Sequence, residues 1–156
     1  MFNILGEIKM TDTESPRVLF VVPGSHFMAY QDRILRERRG CESDIVQRGG
    51  IALEQATSKK YDLIFVYGLG VVPGENPRLV QAYDLLKGES IGNLIAVGSE
   101  LVRMIRESGI NKDTPIVVHG LNDDGRNELL TAGADEWVDR LGIDQVVEVF
   151  DRYVPR

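Results

Sequence analysis

Five short apolar runs separated by stretches of helical spacing set the pattern of this chain. Arg17 to Val22 (RVLFVV) is a continuous β-branched and aromatic run, the mark of a strand buried on both faces of a parallel sheet. Pro23-Gly24 ends it. Ser25 can cap a helix reaching about Arg39, with Phe27, Tyr30, Ile34 and Leu35 close to one face. A short strand near Asp44 to Gln47 follows, then Gly49-Gly50 and a helix to Lys59 that offers Ile51, Leu53 and Ala56 to a core. The third strand is Leu63 to Tyr67. Beyond a segment rich in Gly and Pro, Gly68 to Pro77, the spacing of Leu79, Tyr83 and Leu86 predicts a helix over 78–87. Asn93 to Val97 (NLIAV) reads as a sixth strand or as a turn leading into an amphipathic helix over Gly98 to Gly109. Pro115 to His119 is a further strand, Asn122 to Thr131 a helix and Glu136 to Asp139 the last strand. Ile143 to Tyr153 closes the chain as a helix whose Ile143, Val146, Val147, Phe150 and Val154 form a core stripe.

Strands that alternate with helices imply a parallel sheet, and right-handed crossovers then place helices on both faces. The expected fold is therefore α/β: a doubly wound, flavodoxin-like three-layer sandwich. A chain of 156 residues with 43% hydrophobic content suits one core. The expected division is a flexible tail over 1–16, with Met10 as an alternative start, and one domain over 17–156 that acts alone.

Charge narrows the partners. A formal net charge of −6 argues against a nucleic-acid surface, which needs a dense basic face to displace counterions. The basic cluster Arg33, Arg36, Arg38 and Arg39 is interleaved with Asp32 and Glu37 and reads as a solvated helix end. The amino-terminal apolar run is short and meets Glu7 early, so neither a signal peptide nor a membrane span is expected. The single Cys41 has no partner for an internal disulfide, which points to a reducing, cytoplasmic setting and an inert thiol.

Three stretches carry a resemblance: Tyr61 to Tyr67 (YDLIFVY), Gly98 to Gly109 (GSELVRMIRESG) and Thr114 to Arg140 (TPIVVHGLNDDGRNELLTAGADEWVDR). Together they resemble the response-regulator receiver (CheY-like) family from about Arg17 to Tyr153. That family holds magnesium with two acidic residues after the first strand, and the matching positions here are Pro23 and Gly24. Its phosphoacceptor aspartate matches Tyr67, a phenol that cannot form an acyl phosphate. Asp62 is no substitute, because it begins the strand, about 15 Å from the carboxyl end where such sheets bind ligands. The hydroxyl residue that senses the phosphoryl group matches Gly120, and its lysine partner matches Arg140. Trp137 keeps the aromatic switch position.

The resemblance thus implies a degenerate pseudo-receiver: no catalytic residues, no cofactor, no metal, and an output through protein partners, a homodimer among them. It directs attention to a face carrying Arg126, Asn127, Trp137, Asp139 and Gln145. It also marks roughly two dozen extra residues, about 68–93, between the third strand and the helix that follows, and connections of that length are usually functional or disordered. The expectation is that Val71 to Gly74 and the helix over 78–87 lie over Tyr67 as a lid.

A competing reading is a small-ligand or metal-binding crevice formed by His26, Tyr67 and His119 at the carboxyl ends of the strands, with Asp123 and Asp124 nearby. The two histidines lack the spacing of a metal motif, and Asn122-Asp123-Asp124 reads better as a helix start. Gly24-Ser25 and Gly68-Leu69-Gly70 carry neither a P-loop nor a dinucleotide fingerprint. No serine has a G-x-S-x-G context, so an enzyme ranks last.

Overall fold

The apolar runs assemble into one parallel sheet. A computed structural model describes residues 15–24, 28–68, 71–84, 90–120, 123–139 and 141–155. Its strands are β1 (Arg17–Val21), β2 (Glu42–Val46), β3 (Leu63–Tyr67), β4 (Ile116–His119) and β5 (Glu136–Val138). They lie in the order β2-β1-β3-β4-β5, every pair parallel. This is the flavodoxin-like order, whose reversal at β1 and β3 opens the crevice where such folds bind ligands. The helices are α1 (Ala29–Arg39), α2 (Gly49–Ser58), α3 (Pro77–Asp84), α4 (Ser90–Glu107), α5 (Arg126–Ala132) and α6 (Ile143–Tyr153).

Alternation along the strands builds two cores, one on each face of the sheet. Val18 and Phe20 of β1, with Leu63, Phe65 and Tyr67 of β3, pack with Leu35 of α1 and with Val146, Val149 and Phe150 of α6. Leu19, Val21, Ile64 and Val66 face the other way, toward α2, α3, α4 and α5. All five residues of β3 are buried, as a central strand covered on both sides requires. Phe20 and Phe65 stack at 5.2 Å, and each such buried ring contributes roughly 1.5–3 kcal/mol.

Several expectations need correction. Asn93 to Val97 is neither strand nor turn: it belongs to α4, which begins two turns before Gly98. The helical period of Val97, Leu101, Val102 and Ile105 outweighs the local β-branched run, because those four side chains share the core face. Tyr30 and Ile51 are exposed rather than in the core, and the Arg33 guanidinium lies over the Tyr30 ring. Small residues, Ala52 and Ala56, bring α2 onto the sheet instead. Ile143 is exposed at the start of α6, while Val146, Phe150 and Val154 are buried. The helix after β4 begins at Arg126 with Gly125 as a left-handed cap (φ 83) and no side-chain capping bond. The tail over 1–14, Ser25, His26, Phe27, Leu86, Asn122 and Arg140 lie outside the described residues. No helix among the described residues is long and apolar enough to cross a membrane.

Candidate functional site at the carboxyl rim

β1, β3 and β4 end side by side, so the residues that follow them meet at one rim. Tyr67 pairs in register with His119, and the ladder continues past both: Gly68 N donates to His119 O at 2.8 Å, and Gly120 N to Val138 O at 3.0 Å. Pro23 and Gly24 follow β1 at the same rim. Tyr67 is only 8% exposed and meets the His119 ring edge-on, at 5.3 Å and 87°. Burial holds its phenol above the ordinary tyrosine range. The same cause lowers His119, whose buried Nδ1 has no hydrogen-bond partner. Asn93 Oδ1 and Ser99 Oγ, both on α4, are buried without partners as well.

Trp137 closes the rim from the side of β5. It is 7% exposed, and its Nε1 donates to Asp139 Oδ1 at 2.9 Å. A β-carbon at Gly120 would overlap the indole, so only glycine fits there with Trp137 turned inward. Gly68 is similarly hemmed in: a β-carbon would sit 3.1 Å from Val118 Cγ1 and 3.4 Å from Trp137 Cζ3. Two glycines thus make room for one large ring.

No family model matches the sequence, and no curated protein does. Solved structures match throughout. The receiver domain of a Pseudomonas aeruginosa sensor histidine kinase, solved with a magnesium ion in its active-site cleft, superposes with a TM-score of 0.67 at 17% identity, covering 92% of this chain and all of that domain. A chemotaxis response regulator of Vibrio cholerae gives 0.64 at 18%, over 90% of this chain and 100% of its own. A response regulator from Hahella chejuensis gives 0.60 at 28%, over 89% and 92%. The fold is the receiver fold.

Among the described residues of 68–93, Val71 and Leu79 do not lie over Tyr67. Both join the core on the α2–α5 face, whereas Tyr67 belongs to the opposite core, with Val22, Met28 and Leu141. Val72 O accepts from Gly49 N at 2.7 Å and Pro73 O from Gly50 N at 3.1 Å, so the insertion supplies carbonyls to the free amides that open α2. Asn76 Oδ1 caps α3 by accepting from Arg78 N and Leu79 N. Arg78 then pairs with Glu100 and Glu107 of α4. The Asn76-Pro77 pair before the helix is a start signal legible in the sequence itself.

The proposed interaction face is only partly assembled. Arg126, Asn127 and Asp139 are exposed and Gln145 is half-buried, but the Trp137 ring faces the core. Cys41 is buried, and its thiol is pushed up to about 11, chiefly by burial. Asp123 pairs with Arg126 at 3.5 Å, as helix-end charges do. Among the described residues no group of three His, Cys, Asp or Glu could hold a metal ion.

Proposed function

We propose that this chain is a pseudo-receiver: a non-catalytic signalling module, its working unit residues 17–156, that acts in the cytoplasm through protein partners without phosphorylating its own aspartate. One observation carries the reading. The rim position matched to the phosphoryl-sensing hydroxyl is Gly120, and the space such a side chain would need is taken by the Trp137 indole. Around it, Pro23, Gly24 and Tyr67 supply no carboxylate to accept a phosphoryl group. A magnesium ion like that of the Pseudomonas domain does not fit these residues, since a bound magnesium is held through one or two carboxylates, which proline, glycine and a buried phenol do not supply. Arg140 keeps the positive charge of the lysine position but not its geometry.

In this reading Tyr67 on one face of the sheet and Trp137 on the other replace a switch by packed side chains, and the fold presents one conformation to its partners. The test is an amide NMR titration with magnesium and beryllofluoride, a phosphoryl mimic. No saturable shift at Tyr67, Gly120 or Arg140 is expected. Saturable shifts there would return aspartyl phosphorylation as the mechanism.

The unpartnered His119 Nδ1 favours a second reading, a small uncharged ligand bound in the crevice of His26, Tyr67 and His119. It predicts that the imidazole shifts of His119 respond to a small-molecule library at constant pH, and a null result removes it.

A further inference from the structure

The insertion raises one wall of a groove whose other wall is α2. Gly50 and Asn76 meet at the base, where a β-carbon on Gly50 would lie 3.5 Å from that of Asn76. Gly74 turns the chain with φ 71 directly against Arg48. The cavity between the walls measures about 430 Å³ and is lined by Arg48, Ile51, Leu53, Glu54, Glu75 and Asn76, among others. Its apolar part is Ile51, 42% exposed, and half-buried Leu53.

The charges there differ from their neighbours. On α3 and α4, Arg78 and Arg103 are paired with Glu100, and Arg78 with Glu107 as well. Glu54 on α2 and Glu75 on the insertion are exposed, one on each wall, and neither forms an ion pair with a described residue. Two free carboxylates flank an apolar strip, with Arg48 as the single cation at one end. A long cationic side chain matches that layout, because its methylene stem covers apolar surface while its charged head reaches acceptors. A guanidinium can serve both carboxylates at once through its fork of donors.

We propose that this groove docks a segment of a partner protein that presents one arginine or lysine side chain beside an apolar one. Arg48 sets the direction of the bound segment by disfavouring a second cation at its end. The proposal deepens the interaction-module reading, and the two fail separately, since beryllofluoride reports on Tyr67 and Gly120 while this groove reports on residues 48–57 and 71–76.

The test titrates the isotope-labelled full chain with two blocked tripeptides, Leu-Arg-Leu and Leu-Glu-Leu. Saturable amide shifts at 48–57 and 71–76 are expected with the arginine peptide. Binding should be about fivefold weaker or worse with the glutamate peptide, and about three- to tenfold weaker in a Glu54→Gln/Glu75→Gln double variant, whose exposed changes leave the core untouched. Equal responses to both peptides, an unaffected double variant, or no saturable shift would overturn the proposal. Shifts of the same residues on dilution of the protein alone would give the groove to a second copy and overturn it too.

Discussion

The two ends of the sheet solve the problem of buried polarity in opposite ways. At the amino ends of the strands, fully buried Asn111 uses its whole amide. Its Nδ2 donates to Ala56 O and Lys59 O at 2.6 and 2.7 Å, and its Oδ1 accepts from Tyr61 N and Thr114 Oγ1 at 2.8 and 2.9 Å. Arg106 ties the same loop to Gly133 and Asp135. At the carboxyl rim the space is filled by Tyr67 and Trp137, and the buried His119 Nδ1 is left without a partner, as are Asn93 Oδ1 and Ser99 Oγ on α4. A satisfied network specifies a unique structure, whereas orphaned groups mark where a fold has given up stability for something else. In this chain the amino end is a satisfied network, and the rim is the place the proposed function would use.

The sharpest way to break that comparison is to remove the buried phenol. Tyr67→Ala should cost about 3–5 kcal/mol in urea unfolding, as for other buried aromatic truncations. A loss below about 1 kcal/mol would mean the rim is an open pocket rather than packed core. Asn111→Leu, nearly as severe, should cost about 3 kcal/mol because the Tyr61 amide and two carbonyls lose their partner in a buried site. An unchanged midpoint would show that the amino-end network is decorative. Gly120→Thr should cost about 1–3 kcal/mol through overpacking and drive Trp137 outward, read as a red shift of its fluorescence. Fluorescence and stability both unchanged would place the indole elsewhere.

The smallest effect is electrostatic. His119 titrates below its ordinary value in the folded chain, so between the two values the unfolded chain binds more protons. Its contribution is complete above about pH 6.5 and is lost as pH falls through that value toward the folded one. A His119→Phe variant should therefore lose less stability than the parent between pH 7 and pH 5. Parallel curves for the two proteins would assign the pH dependence to carboxylates alone.

Much of the fold was legible. β3 and α6 have the bounds their spacing predicts, because five consecutive apolar residues and a clean helical stripe leave little choice. The rim residues Tyr67, His119 and Gly120 were legible as strand ends for the same reason. The insertion was not. Its Gly- and Pro-rich wording announced a loop, but nothing local said that Val72 and Pro73 would cap α2, or that Leu79 would fill the space beside Gly49, where a β-carbon would stand 2.6 Å from Leu79 Cδ1. Asn111 carried no signal either, since this buried amide hub exists only through groups in 56–61, some 50 residues earlier in the chain.

Local sequence alone determined the alternation of strands and helices, the two-sided burial of β3 and the absence of carboxylates at Pro23, Gly24 and Tyr67. These follow from side-chain chemistry and period, which act within a few residues. Only the tertiary structure decided which face the insertion covers, that 93–97 is helical, and that Trp137 fills the room left by Gly120. Each depends on volume shared between residues far apart in the chain, and close packing, unlike periodicity, cannot be read one segment at a time.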